Sequence, residues 1–373
     1  MTMPAVQSSG AGSGATCGMS REPLMADSVE LASIILPTYN RAYCLPATID
    51  SVLRQSHRAL EIVIVDDGST DGTGALIAAR YGHDPRVRYH YRTNGGVSAA
   101  RNTAMELARG PVLVFCDSDD VWNPDKLLLQ MATFARFPEV GLVWTDVTAV
   151  DSAGTVLHER YTRTCYPAWQ TQPIDTMFAR SEEVAAGCRV YVGDIFQTMI
   201  GGTLINMPAV AIRADLARRI GNFDESMRTG EDYDFNLRAC GAGPVAFIDV
   251  PTVRYRIGAP DQLTRPSLHA DQARNWFRTL SHVRDAARLV GLSDQRLRPI
   301  LRGKYQWLGM AEIECGERRA GRVALWSAIR YGSHSPRVWM TFLGTFLPTS
   351  LERSLRAVLR SVKARVGARK AAS

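Results

Sequence analysis

From residue 31 onward, short apolar runs alternate with helix-length amphipathic segments, the pattern of parallel strands joined by helical crossovers. The apolar runs 31–36, 61–65, 86–91 and the one that opens at Val112 predict four such strands, with a helix over about 45–55 after the first. A hairpin is expected from strands 140–148 and 156–161 around Asp151-Ser152-Ala153-Gly154, and the last strands at 244–248 and 252–255. Residues 167–207 read as irregular. Beyond about residue 269 strand patterns vanish, arginines multiply, and helices are predicted over 270–290, 301–316, 320–331, 336–346 and 351–366. The fold class is thus α/β: a Rossmann-like, mostly parallel sheet flanked by helices, with a helical C-terminal appendage. Residues 1–30 lack hydrophobic periodicity and read as a disordered leader in which Met25 is an alternative start; 31–265 form the sheet-bearing domain and 266–373 a helical region with a basic tail.

Composition narrows the class only slightly. A chain of 373 residues with a net charge of +7 suits nucleic acid, anionic lipid or phosphate-bearing substrates, and charge does not choose among them. Seven cysteines, odd in number and without a CxxC pair, read as reduced thiols in a cytosolic protein and not as a disulfide framework or zinc site. No run of apolar residues reaches the roughly 18 needed to span a bilayer. The apolar run from Trp339 to Leu347 is followed by Arg353, Arg356, Arg360, Lys363, Arg365, Arg369 and Lys370, which suits docking at an anionic membrane surface. The alternative is a helical hairpin packed on the sheet-bearing domain with a solvated tail.

The candidate chemistry sits where the predicted strands stop, at the edge where open α/β sheets place their ligands. After the first strand come Pro37, Thr38, Tyr39, Asn40 and Arg41, with Tyr39 suited to stack on a base and Arg41 to meet phosphate. After the second come Asp66 and Asp67, acceptors for a nucleobase or ribose, while Asp71 is better read as a helix cap. Gly95 and Gly96 lead a helix whose free amides, with Arg101, would face an anionic phosphate. The fourth strand ends in Asp117, Ser118, Asp119 and Asp120. Carboxylates this crowded resist ionising together unless a cation sits among them, and hard ions such as Mg2+ or Mn2+ prefer oxygen ligands. Asp120 is the one most easily given up to the turn that follows, a reading not open to Asp117 and Asp119.

Taken together and in this order, Ile34 through Arg41, Val65-Asp66-Asp67-Gly68-Ser69, Gly95 through Asn102, and Asp117-Ser118-Asp119-Asp120 resemble glycosyltransferase family 2 over roughly residues 31–257. The resemblance implies a GT-A fold, a nucleotide-diphosphate sugar donor, Mn2+ or Mg2+ at a DxD motif, a saccharide or lipid-linked acceptor, and no nucleic-acid partner. It puts the donor at Pro37, Thr38, Tyr39, Arg41, Asp66, Asp67, Gly96, Arg101, Asp117 and Ser118, and the metal on Asp119 with Asp117. It also implies a downstream acid pair. Gly221-Asn222-Phe223-Asp224-Glu225 followed by Gly230-Glu231-Asp232 supplies it, with Asp232 the candidate base of an inverting transfer and Glu231 a diphosphate or acceptor contact.

Two departures from the family pattern matter. Where many relatives carry Arg-x-His near the metal, this chain reads Arg256-Ile257-Gly258, leaving Arg254, Arg256 or Arg265 as candidates for that electrostatic task. The Gln-x-x-Arg-Trp motif of processive members is absent, which argues for adding one or a few sugars. Trp169, in the irregular stretch, is a candidate to stack on an acceptor sugar or a packing anchor. The expected protein is a cytoplasmic enzyme at or near the inner face of the plasma membrane, acting in cell-surface polysaccharide or glycoconjugate synthesis. The alternatives are a sugar nucleotidyltransferase or a non-catalytic sugar-nucleotide-binding scaffold.

Overall fold

The computed structural model describes residues 30–185, 187–258, 262, 268–289 and 293–348; the expected leader, Arg265 and the helix predicted at 351–366 lie outside them. In chain order the first half runs β1 (Ala32–Thr38), α1 (Leu45–Leu53), β2 (Leu60–Asp66), α2 (Thr73–Tyr81), β3 (Val87–Tyr91), α3 (Val97–Leu107), β4 (Val112–Phe115), β5 (Val121–Trp122) and α4 (Lys126–Arg136). Then come β6 (Leu142–Val150), β7 (Val156–His158), α5 (Tyr161–Cys165), α6 (Ile174–Met177), β8 (Arg180–Ala185), β9 (Cys188–Gly193), α7 (Phe196–Gly201), β10 (Val210–Arg213) and α8 (Ala214–Ile220). The described part ends with α9 (Glu231–Gly241), β11 (Val245–Arg256), α10 (His269–Leu289), α11 (Asp294–Glu314), α12 (Arg318–Arg330) and α13 (Pro336–Gly344).

All these strands join one sheet in the order β3-β2-β1-β4-β10-β6-β11-β9-β8, with β5 on β11 and β7 on β6. β3, β2, β1 and β4 pair in parallel, which is why β1, β2 and β4 are continuous apolar runs buried on both faces. Alternation along β1 sends Ile34 and Leu36 to one core and Ile35 to the other, so the sheet separates two apolar layers. β10 then enters antiparallel between β4 and β6. The strand ends that carry chemistry therefore converge at the carboxyl edge of β1, β2 and β4, as the α/β reading requires.

Three expectations change. The stretch read as irregular contains an antiparallel hairpin, β8 with β9, and β9 pairs with β11. β8 reads Arg-Ser-Glu-Glu-Val-Ala and lies at the end of the sheet with no buried position, so it lacks an apolar signature. The two strands expected at 244–248 and 252–255 are a single strand, β11, with register shifts on either side of Pro251. The helix predicted from 301 begins earlier, at Asp294, and carries Pro299 inside. No helix among the described residues is long and apolar enough to cross a membrane.

Candidate active site

The loops after β1 and β2 are laced together before any ligand is considered. Asp67 N donates to Thr38 O (2.9 Å), Asn40 N to Ser69 Oγ (2.8 Å), Thr70 N to Asn40 Oδ1 (2.8 Å), and Ala42 N to Asp71 Oδ2 (2.9 Å). Asn40 sits at φ 50°, a left-handed conformation that asparagine tolerates better than most residues, and its side chain supplies the local hydrogen bond that holds it. Asp71 also accepts from Thr73 N (3.1 Å) at the start of α2, one position ahead of Gly72, which takes the N-cap place expected of Asp71. Tyr39 projects outward, half exposed, from this braced edge.

Asp66 and Asp67 are both buried and both have partners. Asp66 accepts from Ser69 N (2.8 Å) and Tyr89 Oη (2.8 Å). Asp67 accepts from Gly95 N (3.0 Å) and Gly96 N (2.7 Å), and Arg92 Nε lies 3.3 Å away. The glycine amides expected to be free for phosphate are thus engaged by a carboxylate, and the backbone at Gly96, φ 91°, is fixed by it. Asp67 shapes the glycine loop. Replacing it with alanine is expected to release the Gly95 and Gly96 amides, a result that faster hydrogen exchange at those two positions would check.

Arg101, on α3, is fully buried and ties the two halves of the site together. Its Nη2 lies 2.9 Å from Asp117 Oδ1, and its Nη1 2.8 Å from Glu231 Oε1 at the start of α9. The guanidinium also lies over the Phe223 ring, 5.4 Å from its centroid. Asn102 adds a second tie, with its Nδ2 donating to Phe223 O (3.0 Å) and its Oδ1 accepting from Phe223 N (2.9 Å). A segment more than a hundred positions downstream is thereby pinned against β4. Burial, then the neighbouring charge of Asp232, pushes the Glu231 carboxyl up to about 7 against the pull of Arg101. Burial likewise raises Asp232, with Arg101 pulling it down and Asp117 adding to the rise.

Asp119 takes an arginine from the end of β11. Arg256 Nη2 donates to Asp119 Oδ2 (3.0 Å) and to Tyr43 Oη (2.7 Å), and Arg41 Nη2 lies 4.0 Å from the same Asp119 oxygen. Of Arg254 and Arg256, the two described arginines considered in place of the family histidine, Arg256 is the one at the carboxylates. Arg254 points away and donates to Gly154 O (2.7 Å). Asp120 is fully buried, with Oδ1 accepting from Arg256 N (3.1 Å) and Oδ2 without a partner. Desolvation and the charges of Asp119 and Asp117 hold its carboxyl well above the usual range, so it favours the neutral acid.

Among the described residues no cluster of three His, Cys, Asp or Glu side chains forms a protein-only metal cage. Asp117 and Asp119 nevertheless offer hard oxygen donors on one strand end. That donor set suits a divalent cation which completes its shell from a diphosphate. Each carboxylate engages its arginine through one oxygen, Asp117 by Oδ1 and Asp119 by Oδ2.

Trp169 does not face an acceptor. It is buried, its Nε1 donates to Leu204 O (3.0 Å), and its ring packs 4.8 Å from Phe247; it is a core anchor. Tyr166, close enough to feel the charge of Asp232, belongs to a separate tyrosine group. Tyr161 contacts Tyr166 (5.8 Å) and Tyr255 (5.9 Å), and Asn206 Nδ2 donates to Tyr166 Oη (3.2 Å). Burial raises the Tyr166 hydroxyl, as do Tyr161 and the charge of Asp232. Sequence reasoning missed Tyr43, Asn40, Tyr89 and this tyrosine group. Only Asn40 and Tyr43, flanking Arg41 in the loop after β1, carried a positional signal.

Residues 33–197 match the family model described as Glycosyl transferase family 2. A putative teichuronic acid biosynthesis glycosyltransferase, TuaG of Bacillus subtilis, is 44% identical over 102 residues, 27% of this chain and 40% of that protein. A chondroitin synthase of Escherichia coli is 28% identical over 221 residues, 59% of this chain and 28% of the relative. A hyaluronan synthase of Pasteurella multocida is 37% identical over 133 residues, 36% of this chain and 14% of the relative. The chain thus spans 14–28% of the length of these two synthases. The crystal structure of S. aureus TarS aligns over 83% of this chain and 50% of its own with a TM-score of 0.53 at 19% identity, a likeness of fold. All four strand-end motifs lie within residues 33–197, and that segment of the chain is a Glycosyl transferase family 2 domain.

Proposed function

We propose that the protein is a metal-dependent, inverting glycosyltransferase that moves a sugar from a nucleotide-diphosphate sugar to an acceptor hydroxyl in cell-surface polysaccharide or glycoconjugate synthesis. The observation that carries this reading is the Asp117–Arg101–Glu231 chain of contacts, which holds the acid pair of α9 beside the carboxylates of β4. Asp232 would accept the proton of the acceptor hydroxyl as that oxygen bonds to the anomeric carbon. The bond from that carbon to the diphosphate breaks on the opposite side, and the leaving group carries away the electron pair. Asp119 and Asp117 would hold a divalent cation, which when bound supplies positive charge against the departing diphosphate. Arg41 and Arg256, both on the Asp119 side, add cationic charge there. Asp66, Asp67 and Tyr39 would serve the nucleoside, and Tyr166, which feels the charge of Asp232, with Tyr161 and Tyr255 packed beside it, would border the acceptor.

The test is a screen of nucleotide sugars for Mn2+- or Mg2+-dependent hydrolysis or transfer, with Asp119→Ala beside the wild type. Donor turnover that requires the cation, and donor affinity that falls by an order of magnitude or more in Asp119→Ala, is the expected result. Full turnover in the presence of a chelator would overturn the metal assignment. A screen in which nucleoside triphosphate and sugar phosphate react instead would replace the transferase reading with a nucleotidyltransferase.

A further inference from the structure

The C-terminal helices carry an exposed apolar surface, remote in sequence from the strand-end motifs. Half of the large apolar side chains that are exposed among the described residues fall between Val323 and Phe346: Val323, Trp326, Trp339, Met340, Leu343 and Phe346, at 38–64% exposure. Singly scattered apolar residues need no explanation, whereas a contiguous set does. α13 buries only Val338. Its exposed apolar positions, 336, 339, 340 and 343, recur at helical spacing, with Phe346 exposed in the turn just after it, so an amphipathic helix here turns its apolar face outward. On α12 the exposed stripe reads Arg319, Val323, Trp326, Arg330, apolar in the middle and cationic at both ends.

The two helices present this face as one unit. Trp326 stacks on Phe342 at 5.6 Å, and Phe342 meets Phe346 edge-on at 5.4 Å. Arg318 Nη2 donates to Leu347 O (2.7 Å), and Arg322 Nη2 to Thr345 O (2.7 Å), so two arginines of α12 cap the end of α13. The Arg322 guanidinium also lies 4.0 Å from the Phe346 ring centroid. The two helices are rich in cations: Arg318, Arg319, Arg322, Arg330 and Arg337 lie between 318 and 348 with no acid among them, Glu317 stands just before α12, and in sequence the stretch from Arg318 to Ser373 holds twelve Lys and Arg and a single acid, Glu352.

We propose that the outward face of α12 and α13 docks the protein on an anionic lipid surface, with Trp326, Trp339, Leu343 and Phe346 entering the headgroup region and the arginines meeting lipid phosphate. Apolar and aromatic side chains in a cationic rim are the composition of an interfacial helix. Charge complementarity selects the occupant: a second copy would bring the same cationic rim against itself, whereas an anionic bilayer attracts it at about 1 kcal/mol per Lys or Arg near the surface. This surface shares no residue with the strand-end site, and the test below uses neither donor nor acceptor, so its failure and failure of the transferase reading are separate results.

The test is flotation of the full chain, without donor or acceptor, on vesicles of phosphatidylcholine with and without phosphatidylglycerol. Binding to the anionic vesicles is expected, with partitioning lowered at least about tenfold in Leu343→Asp/Phe346→Asp and in the milder Trp339→Ser. All three side chains are exposed, and circular dichroism melts should match the wild type. Undiminished binding by both variants would reduce the contact to tail charge alone and overturn the proposal. So would equal binding to neutral vesicles. A dimer in sedimentation that these substitutions dissolve, with no vesicle binding, would assign the face to a second copy instead.

Discussion

Asp232→Asn is expected to lower kcat by about 10²–10⁴ while leaving donor affinity within a few-fold of wild type. The amide keeps the size and the hydrogen bond from Tyr233 N (2.8 Å) but has no basicity. Since burial raises the Asp232 carboxyl, the wild-type rate should climb with pH as that group loses its proton, and the acid limb should lie above the ordinary aspartate range. Glu231, pushed up to about 7, titrates alongside it, so the limb belongs to the pair. In Asp232→Asn the residual rate should lose this limb. Single-turnover transfer across pH, with donor binding measured separately, checks both points. An asparagine variant with full transfer would remove Asp232 as the base.

Arg101→Met should destabilise the protein by about 3–5 kcal/mol, because it strands the carboxylates of Asp117 and Glu231 without their buried partner. At roughly 2–4 °C per kcal/mol for a domain of this size, the melt should fall by roughly 6–20 °C. The pH dependence has a definite sign. Without the guanidinium, the Glu231 and Asp232 carboxyls, both raised by burial and both pulled down by Arg101, rise further above their unfolded values, so the folded state binds protons in a window where the unfolded chain does not. Stability in that window falls as pH rises, and the deficit should therefore shrink from pH 7.5 to pH 5. A deficit that is flat or grows on acidification would show that lost packing on Phe223, not charge, is the cause.

What was legible in the sequence depended on burial and spacing. β1, β2 and β4 were visible because both faces are covered and nearly every position is apolar. Their tips were visible because polar residues stop those runs abruptly. β8 was not, since an edge strand with no buried position has no apolar periodicity. The bend of β11 at Pro251 looked like a gap between two strands because proline reads as punctuation, and here it marks a bulge. At the site, residue types were legible and partners were not. Nothing in Gly95-Gly96 says that its amides serve Asp67, and nothing in Arg101 says that it joins Asp117 to Glu231. Such pairings join positions far apart in sequence, where local pattern carries no information. Trp169 shows the same limit, because a tryptophan in a long loop gives no hint of the Leu204 carbonyl that receives its indole N–H.

The placement of β10 has a consequence for how the molecule must be made. The family match stops at residue 197, yet β10, at 210–213, fills the slot between β4 and β6 in the middle of the sheet. A fragment cut at the end of the match would leave two inner strands with open edges, a template for aggregation. During synthesis the same edges wait for β10 to emerge, and the Asp119 ion pair waits longer still, for Arg256 at the far end of β11. The shortest unit able to close its sheet and complete its charge arrangement therefore runs through Arg256. The late pairings are long-range in sequence, which places the slow step of folding there.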